Sequence, residues 1–115
     1  MNYQVLLTDQ AHANLEAAHA WWADNRSQTQ AAKWYNAFAG AIESLATNPQ
    51  RCAVSRESDD FPFEILDLYF GIGRRPTHRA VFTIRPDQVL VIAIRHLAQR
   101  DLSLDDFLNQ KAEDD

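Results

Sequence analysis

The stretch 77–99, THRAVFTIRPDQVLVIAIRHLAQ, constrains the fold most, because it predicts two β-strands joined by a tight turn. Six of its apolar residues lie at even positions, and side chains two apart along a strand share a face. These residues are Ala80, Phe82, Ile84, Leu90, Ile92 and Ile94. A hairpin that keeps all six on one face needs an odd number of loop residues, and a three-residue loop at 86–88, Pro-Asp-Gln, fits.

This register predicts which residues lie opposite each other. The apolar pairs are Ile84 with Leu90 and Phe82 with Ile92. On the other face, the same register places Arg79 directly opposite Arg95. Like charges in that arrangement destabilise a sheet, so the pair predicts an anion nearby. The two arginines are therefore the first candidates for a functional site.

Charge is distributed unevenly along the chain. The formal net charge is −5, yet residues 61–100 hold six arginines against three carboxylates, and residues 101–115 hold six carboxylates against one lysine. A local basic patch can attract partners that the whole-chain charge would repel. A protein that relies on phosphate contacts alone carries more positive charge, so general nucleic-acid binding is not favoured.

The composition is that of a globular domain, with 46% hydrophobic and 23% charged residues. No apolar run approaches the ~18 residues of a membrane span, and no secretory signal precedes the first strand. Cys52 is the sole cysteine, which fits a reducing compartment. We therefore expect one cytoplasmic domain over residues 1–115, without cofactor or metal.

The N-terminal half predicts a strand followed by two helices. Tyr3–Leu7 has strand character, and two amphipathic helices follow, the first ending near Asn25 and the second at Asn48-Pro49. The candidate N-caps are Thr8 or Asp9 for the first helix and Ser27 or Thr29 for the second. The short connection between the helices predicts an antiparallel helical hairpin.

The C-terminal half predicts strands. Residues 51–62 are polar and predict a loop, Glu64–Phe70 predicts a strand, and Ser103 can cap a short last helix. The predicted class is α+β, in the order β-α-α-β-β-β, with a small antiparallel sheet packed on the N-terminal helical hairpin. We expect the second face of the sheet to remain a half-polar surface that the acidic tail, 101–115, borders.

In order and spacing these segments resemble the RelE/ParE superfamily of toxins from type II toxin–antitoxin, or plasmid stabilisation, systems. The segments that carry the resemblance are the helical hairpin ending in LATNP, then FPFEILDLYFG, HRAVFTI and VLVIAIRHLAQ. The resemblance implies a bacterial, cytoplasmic toxin that inhibits growth. It also implies a cognate antitoxin that neutralises the toxin in a hetero-oligomer.

The superfamily contains two activities. ParE-like members inhibit DNA gyrase, whereas RelE-like members are metal-independent endoribonucleases that cleave mRNA on the ribosome. The IRHLAQ ending resembles the ParE side, and the two lysines, Lys33 and Lys111, lie outside the sheet. The resemblance therefore favours a ParE-like gyrase inhibitor. The alternatives are a RelE-like nuclease and a non-toxic protein of the same fold that only binds an antitoxin-like regulator.

The nuclease alternative assigns catalytic roles to Arg79, Arg95 and His96. Arg79 matches the superfamily arginine that holds the scissile phosphate, Arg95 matches a second one, and His96 is of the residue type that most often transfers protons near neutral pH. Two structural alternatives stay open. Arg79 can form an ion pair with Glu64 or Asp67 on the neighbouring strand, and His96 can lie at the edge of the core.

A wider set of arginines is a candidate surface for an anion or a protein partner. Its members are Arg74, Arg75, Arg79, Arg85 and Arg95. Among the histidines, His78 is expected at the surface. His12 and His19 share a helix face, but two ligands do not define a zinc site.

Overall fold

The computed structural model of the chain describes residues 2–108. Its helices and strands are β1 (Gln4–Leu7), α1 (Asp9–Asn25), α2 (Gln28–Glu43), β2 (Ala53–Val54), β3 (Leu66–Phe70), β4 (His78–Ile84), β5 (Gln88–His96) and α3 (Leu104–Leu108). The predicted caps are confirmed at Thr8 and Ser27, whose hydroxyl oxygens accept hydrogen bonds from the first turns of α1 and α2. The acidic tail is described only as far as Leu108, and Lys111 lies outside the described residues.

The α+β class is confirmed, but the sheet is mixed rather than purely antiparallel. The strands lie in the order β1-β5-β4-β3-β2. The last four strands form an antiparallel meander, in which each strand runs opposite to its neighbour. The first strand, β1, pairs with β5 in the parallel sense. The additional strand β2 lies inside the segment predicted as a loop, where Ala53 and Val54 pair with Asp67 and Leu66.

The β4–β5 hairpin confirms one part of the predicted register and corrects another. Arg79 lies opposite Arg95, as predicted. The predicted pairs nearer the turn are wrong, because Phe82 lies opposite Val91 and Ile84 opposite Val89. The loop contains two residues instead of three, since the Arg85 N–H donates to the Gln88 carbonyl oxygen at 2.7 Å.

A β-bulge reconciles these two observations. The register shifts between Val81 and Phe82, where β5 contains one extra residue, Ile92. The bulge turns Leu90 and Ile92 away from the helices, and Val89 and Val91 take the helix-facing positions. The prediction that all six even-numbered apolar residues share one face is therefore wrong.

The larger core lies between the helical hairpin and one face of the sheet. Its buried members are Ala11, Leu15, Trp34, Phe38, Ile42, Leu45, Leu66, Ala80, Phe82, Val89, Val91 and Ile94. The helical positions among them recur every three or four residues, as an amphipathic helix requires. This core fixes α1 and α2 across β4 and β5.

The second face of the sheet is also covered, which corrects the prediction of an open half-polar surface. Val81, Ile92 and Ala93 are almost completely buried there. Residues from the segment before β3 and from the chain after β5 cover them, namely Phe61, Phe63, Ile65, Leu102, Leu104 and Phe107. The prediction failed because the bulge adds apolar Ile92 to this face, which favours burial of the whole patch.

A tight connection links β3 to β4. The Thr77 N–H donates to the Phe70 carbonyl oxygen at 2.9 Å, and the chain folds back so that Gly71 lies against the backbone of Arg75 and Pro76. A β-carbon at Gly71 would collide with the Arg75 carbonyl oxygen and lie 2.9 Å from the Pro76 α-carbon. Glycine is therefore required at this position by contact rather than by backbone dihedral angle.

We expect Gly71→Ala to lower the free energy of unfolding by about 1–3 kcal/mol, because the backbone of the turn must move to admit the methyl group. Gly73→Ala is the matched control, since a β-carbon added at Gly73 would have no atom within 4 Å apart from those of Gly73 and its two chain neighbours. Urea denaturation of both variants measures the difference. Equal stability of the two variants would contradict this account of the turn.

Candidate functional site

Arg79 is held in a buried cluster of polar residues on the second face of the sheet. Only 6% of the residue is exposed. Its Nη1 atom donates to Asp67 Oδ1 at 3.0 Å and to Glu57 Oε1 at 2.9 Å, and its Nη2 atom donates to Glu57 Oε2. The Ser55 hydroxyl accepts a further bond from Nη1 at 3.3 Å. We call Ser55, Glu57, Asp67 and Arg79 the arginine cluster.

The anion that the sequence predicts beside Arg79 is thus supplied by the protein itself. The structural alternative of an ion pair with Asp67 is confirmed, while Glu64 is exposed and forms no ion pair within residues 2–108. Glu57 was not predicted, because it lies in the irregular segment before β3. An irregular segment has no periodic pattern from which the position of a side chain can be predicted. The only indication in the sequence was the acidic composition of SRESDD, which contains Glu57.

The electrostatics of the cluster favour a charged arginine bound to Glu57. Burial raises the pKa of Glu57, but hydrogen bonds from Arg79, Ser55 and the Leu102 N–H outweigh it and lower the pKa to about 2. Burial lowers the pKa of Arg79, but its bonds to Glu57 and the charge of Asp67 raise it above the ordinary value. Burial also raises the pKa of Asp67.

The cluster also anchors the chain that follows β5. The Leu102 N–H donates to Glu57 Oε2 at 2.8 Å, and the Leu102 side chain is buried in the second core. Asp101 forms an ion pair with Arg56, and Arg100 forms another with Asp106. We call residues 101–108 the C-terminal strap. The prediction that the acidic tail borders this face is confirmed for the strap.

The remaining predicted arginines do not share this environment. Arg95 is half-buried and donates to the Arg100 carbonyl oxygen, while its Nε atom is buried without a hydrogen-bond partner in residues 2–108. Burial lowers its pKa. Arg74, Arg75 and Arg85 are exposed and form no ion pair in the described part of the chain.

We expect Arg79→Met to lower the free energy of unfolding by about 3–5 kcal/mol, because it leaves buried Glu57 and Asp67 without their counterion. Arg85→Met removes an exposed arginine from the turn that follows β4. We expect it to change the free energy of unfolding by no more than about 0.5 kcal/mol. Urea denaturation at pH 7 measures both. A cost below about 1 kcal/mol for Arg79→Met would show that the cluster contributes little to the fold.

The other face of the sheet carries a groove of about 550 Å³. It lies between α1 and the end of the β4–β5 hairpin. Its lining residues are Asn14, Ala17, Ala18, Trp21, Trp22, Arg26, Thr77, His78, Ile94, His96 and Gln99. We call it the tryptophan groove. Its size and its apolar lining with a few polar groups are typical of a binding site.

Two histidines lie opposite each other at the end of this groove. The rings of His78 and His96 are 5.0 Å apart, and the His78 ring also lies 5.2 Å from Trp34. The prediction that His78 lies at the surface is wrong, because its ring packs under α2. Burial, together with the neighbouring His96, lowers the pKa of His78 to about 4.

His96 lines the groove together with residues of α1, so it lies on the helix-covered side of the sheet. Its Nδ1 atom accepts a hydrogen bond from the Ala98 N–H at 3.0 Å, so the ring proton is on Nε2. Arg79 and Arg95 point to the opposite face. The three residues of the predicted nuclease site are therefore divided between the two faces of the sheet.

Because the pKa of His78 is lower in the folded chain than its ordinary value of 6.5, the unfolded chain binds more protons between pH 6.5 and 4. We expect stability to fall by about 1–3 kcal/mol as the pH drops through this range. The contribution of Glu57, whose pKa is about 2, is lost only below its ordinary pKa of 4.5, at lower pH. Urea denaturation at several pH values measures the slope.

His78→Gln is expected to flatten this slope between pH 6.5 and 4.5. His12→Gln, at an exposed position of α1, is the control and should retain it. An unchanged slope in His78→Gln would show that another group determines the pH dependence.

Comparison with known proteins identifies the class to which this fold belongs. Residues 5–101 match the family described as ParE toxin of type II toxin-antitoxin system, parDE. Because the match covers most of the 115 residues, the chain belongs to the ParE toxin family. The predicted resemblance, with the ParE side favoured, is confirmed.

A solved structure shares the fold. It is described as the chromosomal ParDE TA system from P. aeruginosa, with a TM-score of 0.65 and 18% sequence identity over 82% of this chain and 95% of that chain. No match was found among curated proteins. Within residues 2–108, no helix has the length and apolarity that crossing a bilayer requires. Most of the C-terminal strap lies beyond the family match, which ends at Asp101.

Proposed function

We propose that this type II toxin inhibits DNA gyrase and is neutralised by a cognate antitoxin in the bacterial cytoplasm. The observation that carries the proposal is the ParE family match over residues 5–101. The solved ParDE structure supports the same partner class, because it is described as a toxin–antitoxin system. Gyrase is the target that the resemblance to the ParE side implied.

The geometry argues against the nuclease alternative. In the nuclease alternative, Arg79 binds a substrate phosphate, but the guanidinium here is buried and bonded to Glu57 and Asp67. A phosphate would have to displace two carboxylates of the protein itself. His96 lies across the sheet from both arginines, so it cannot act on a phosphate bound to them.

Purified protein added to a gyrase supercoiling assay tests this proposal. We expect supercoiling to stop and cleaved DNA to accumulate as the toxin reaches excess over gyrase. A translation extract receiving the same preparation is the control and should remain active. The protein's folded state is checked in parallel by circular dichroism.

Three outcomes would contradict the proposal in different ways. Unchanged supercoiling with folded toxin in excess excludes gyrase as the target. Arrested translation with mRNA cut at A-site codons would favour the nuclease alternative. Normal growth after induction of this chain alone would favour the non-toxic alternative, in which the protein only binds a regulator.

A further inference from the structure

The turn between β3 and β4 forms an exposed surface that is firmly anchored. It lies at the end of the sheet where β3 and β5 finish and β4 begins. Residues 72–77 are all exposed, but the Thr77 N–H bonds to Phe70 at the base of the turn, and the Thr77 carbonyl oxygen accepts from the Leu97 N–H at 2.9 Å. A segment fixed at its base loses little conformational freedom when it binds a partner.

This end of the sheet carries positive charge that the protein itself does not neutralise. Arg74 and Arg75 are exposed and form no ion pair within residues 2–108. Residues 68–86 and 88–100 contain no Asp or Glu, so neither the turn nor the end of β5 supplies a carboxylate. The two guanidinium groups therefore keep their charge for another molecule, although the whole chain has a net charge of −5.

Two exposed apolar side chains lie at the same end of the sheet. Ile72 in the turn is 45% exposed, and Leu97, which is hydrogen-bonded to the base of the turn, is 38% exposed. One exposed apolar side chain is ordinary, but two beside unpaired arginines match the composition of protein–protein interfaces. We call Ile72, Arg74, Arg75 and Leu97 the turn surface.

We propose that the toxin binds gyrase through the turn surface, at a site on gyrase that presents carboxylates around apolar side chains. This assignment rests on the proposed gyrase target. The carboxylates would accept hydrogen bonds from Arg74 and Arg75, and the apolar side chains would pack against Ile72 and Leu97. The DNA that gyrase holds fits less well. Its phosphates offer no apolar contact to Ile72 and Leu97, and the acidic chain would repel it.

Charge reversal in the full chain tests the arginines in the supercoiling assay. Arg74→Glu and Arg75→Glu should each raise the toxin concentration that halves supercoiling about fivefold or more, because each would face a carboxylate. Lys33→Glu makes the same change in net charge at an exposed position of α2, and should alter that concentration by no more than about twofold. Arg74→Lys and Arg75→Lys keep the positive charge and should retain most of the inhibition. Urea denaturation checks that each variant remains folded.

Binding to purified gyrase without DNA, measured by biolayer interferometry, tests the apolar contact. Ile72→Asn should weaken binding about fivefold or more. Val54→Asn changes another exposed apolar residue, on β2, and should leave binding within about twofold. Added salt should weaken binding of the wild-type chain more than binding of Arg74→Glu, because it screens the proposed charge pairs.

Several results would overturn the assignment. They are unchanged inhibition by Arg74→Glu and Arg75→Glu, an equal loss in Lys33→Glu, unchanged binding of Ile72→Asn, and binding that requires DNA and is competed by free DNA. The last result would identify a nucleic-acid contact instead. Each can occur while the wild-type chain inhibits supercoiling, so failure of this proposal is distinguishable from failure of the gyrase proposal.

Discussion

The bonds between Arg79 and the carboxylates of Glu57 and Asp67 are the interaction on which the second half of the fold depends. They join β4 to β3, fix the irregular segment before β3, and, through Glu57 and the Leu102 N–H, hold the C-terminal strap on the sheet. A buried charge is tolerated only when it is paired and hydrogen-bonded, so each of these parts needs the others in place. The cluster thus links segments that are distant in sequence.

The two faces of the sheet consequently have different properties. One is closed by the protein's own carboxylates and by the strap, which continues beyond the region matched by the ParE family. The other carries the tryptophan groove, where Trp21 is 51% exposed.

Much of this fold could be predicted from sequence, but through partly compensating errors. The register at Arg79 and Arg95 was correct because a two-residue loop plus one bulged residue spans the same length as the predicted three-residue loop. The pairs between the bulge and the turn were wrong for the same reason. Glu57 could not be predicted, since it lies 22 residues before Arg79 in a segment without periodicity. The burial of His78 was not predicted, because alternation along a strand identifies the face of a residue but not how far that face is covered. How closely α2 covers His78 is set by tertiary packing.

The central claim is that the charge of Arg79 is satisfied inside the protein. A double-mutant cycle with Arg79→Met and Glu57→Met measures this most directly by urea denaturation. If the two side chains form one buried unit, the second substitution recovers much of the stability lost through the first, with a coupling energy of about 2 kcal/mol or more. Additive costs, with coupling near zero, would contradict the claim and make Arg79 available to an external anion.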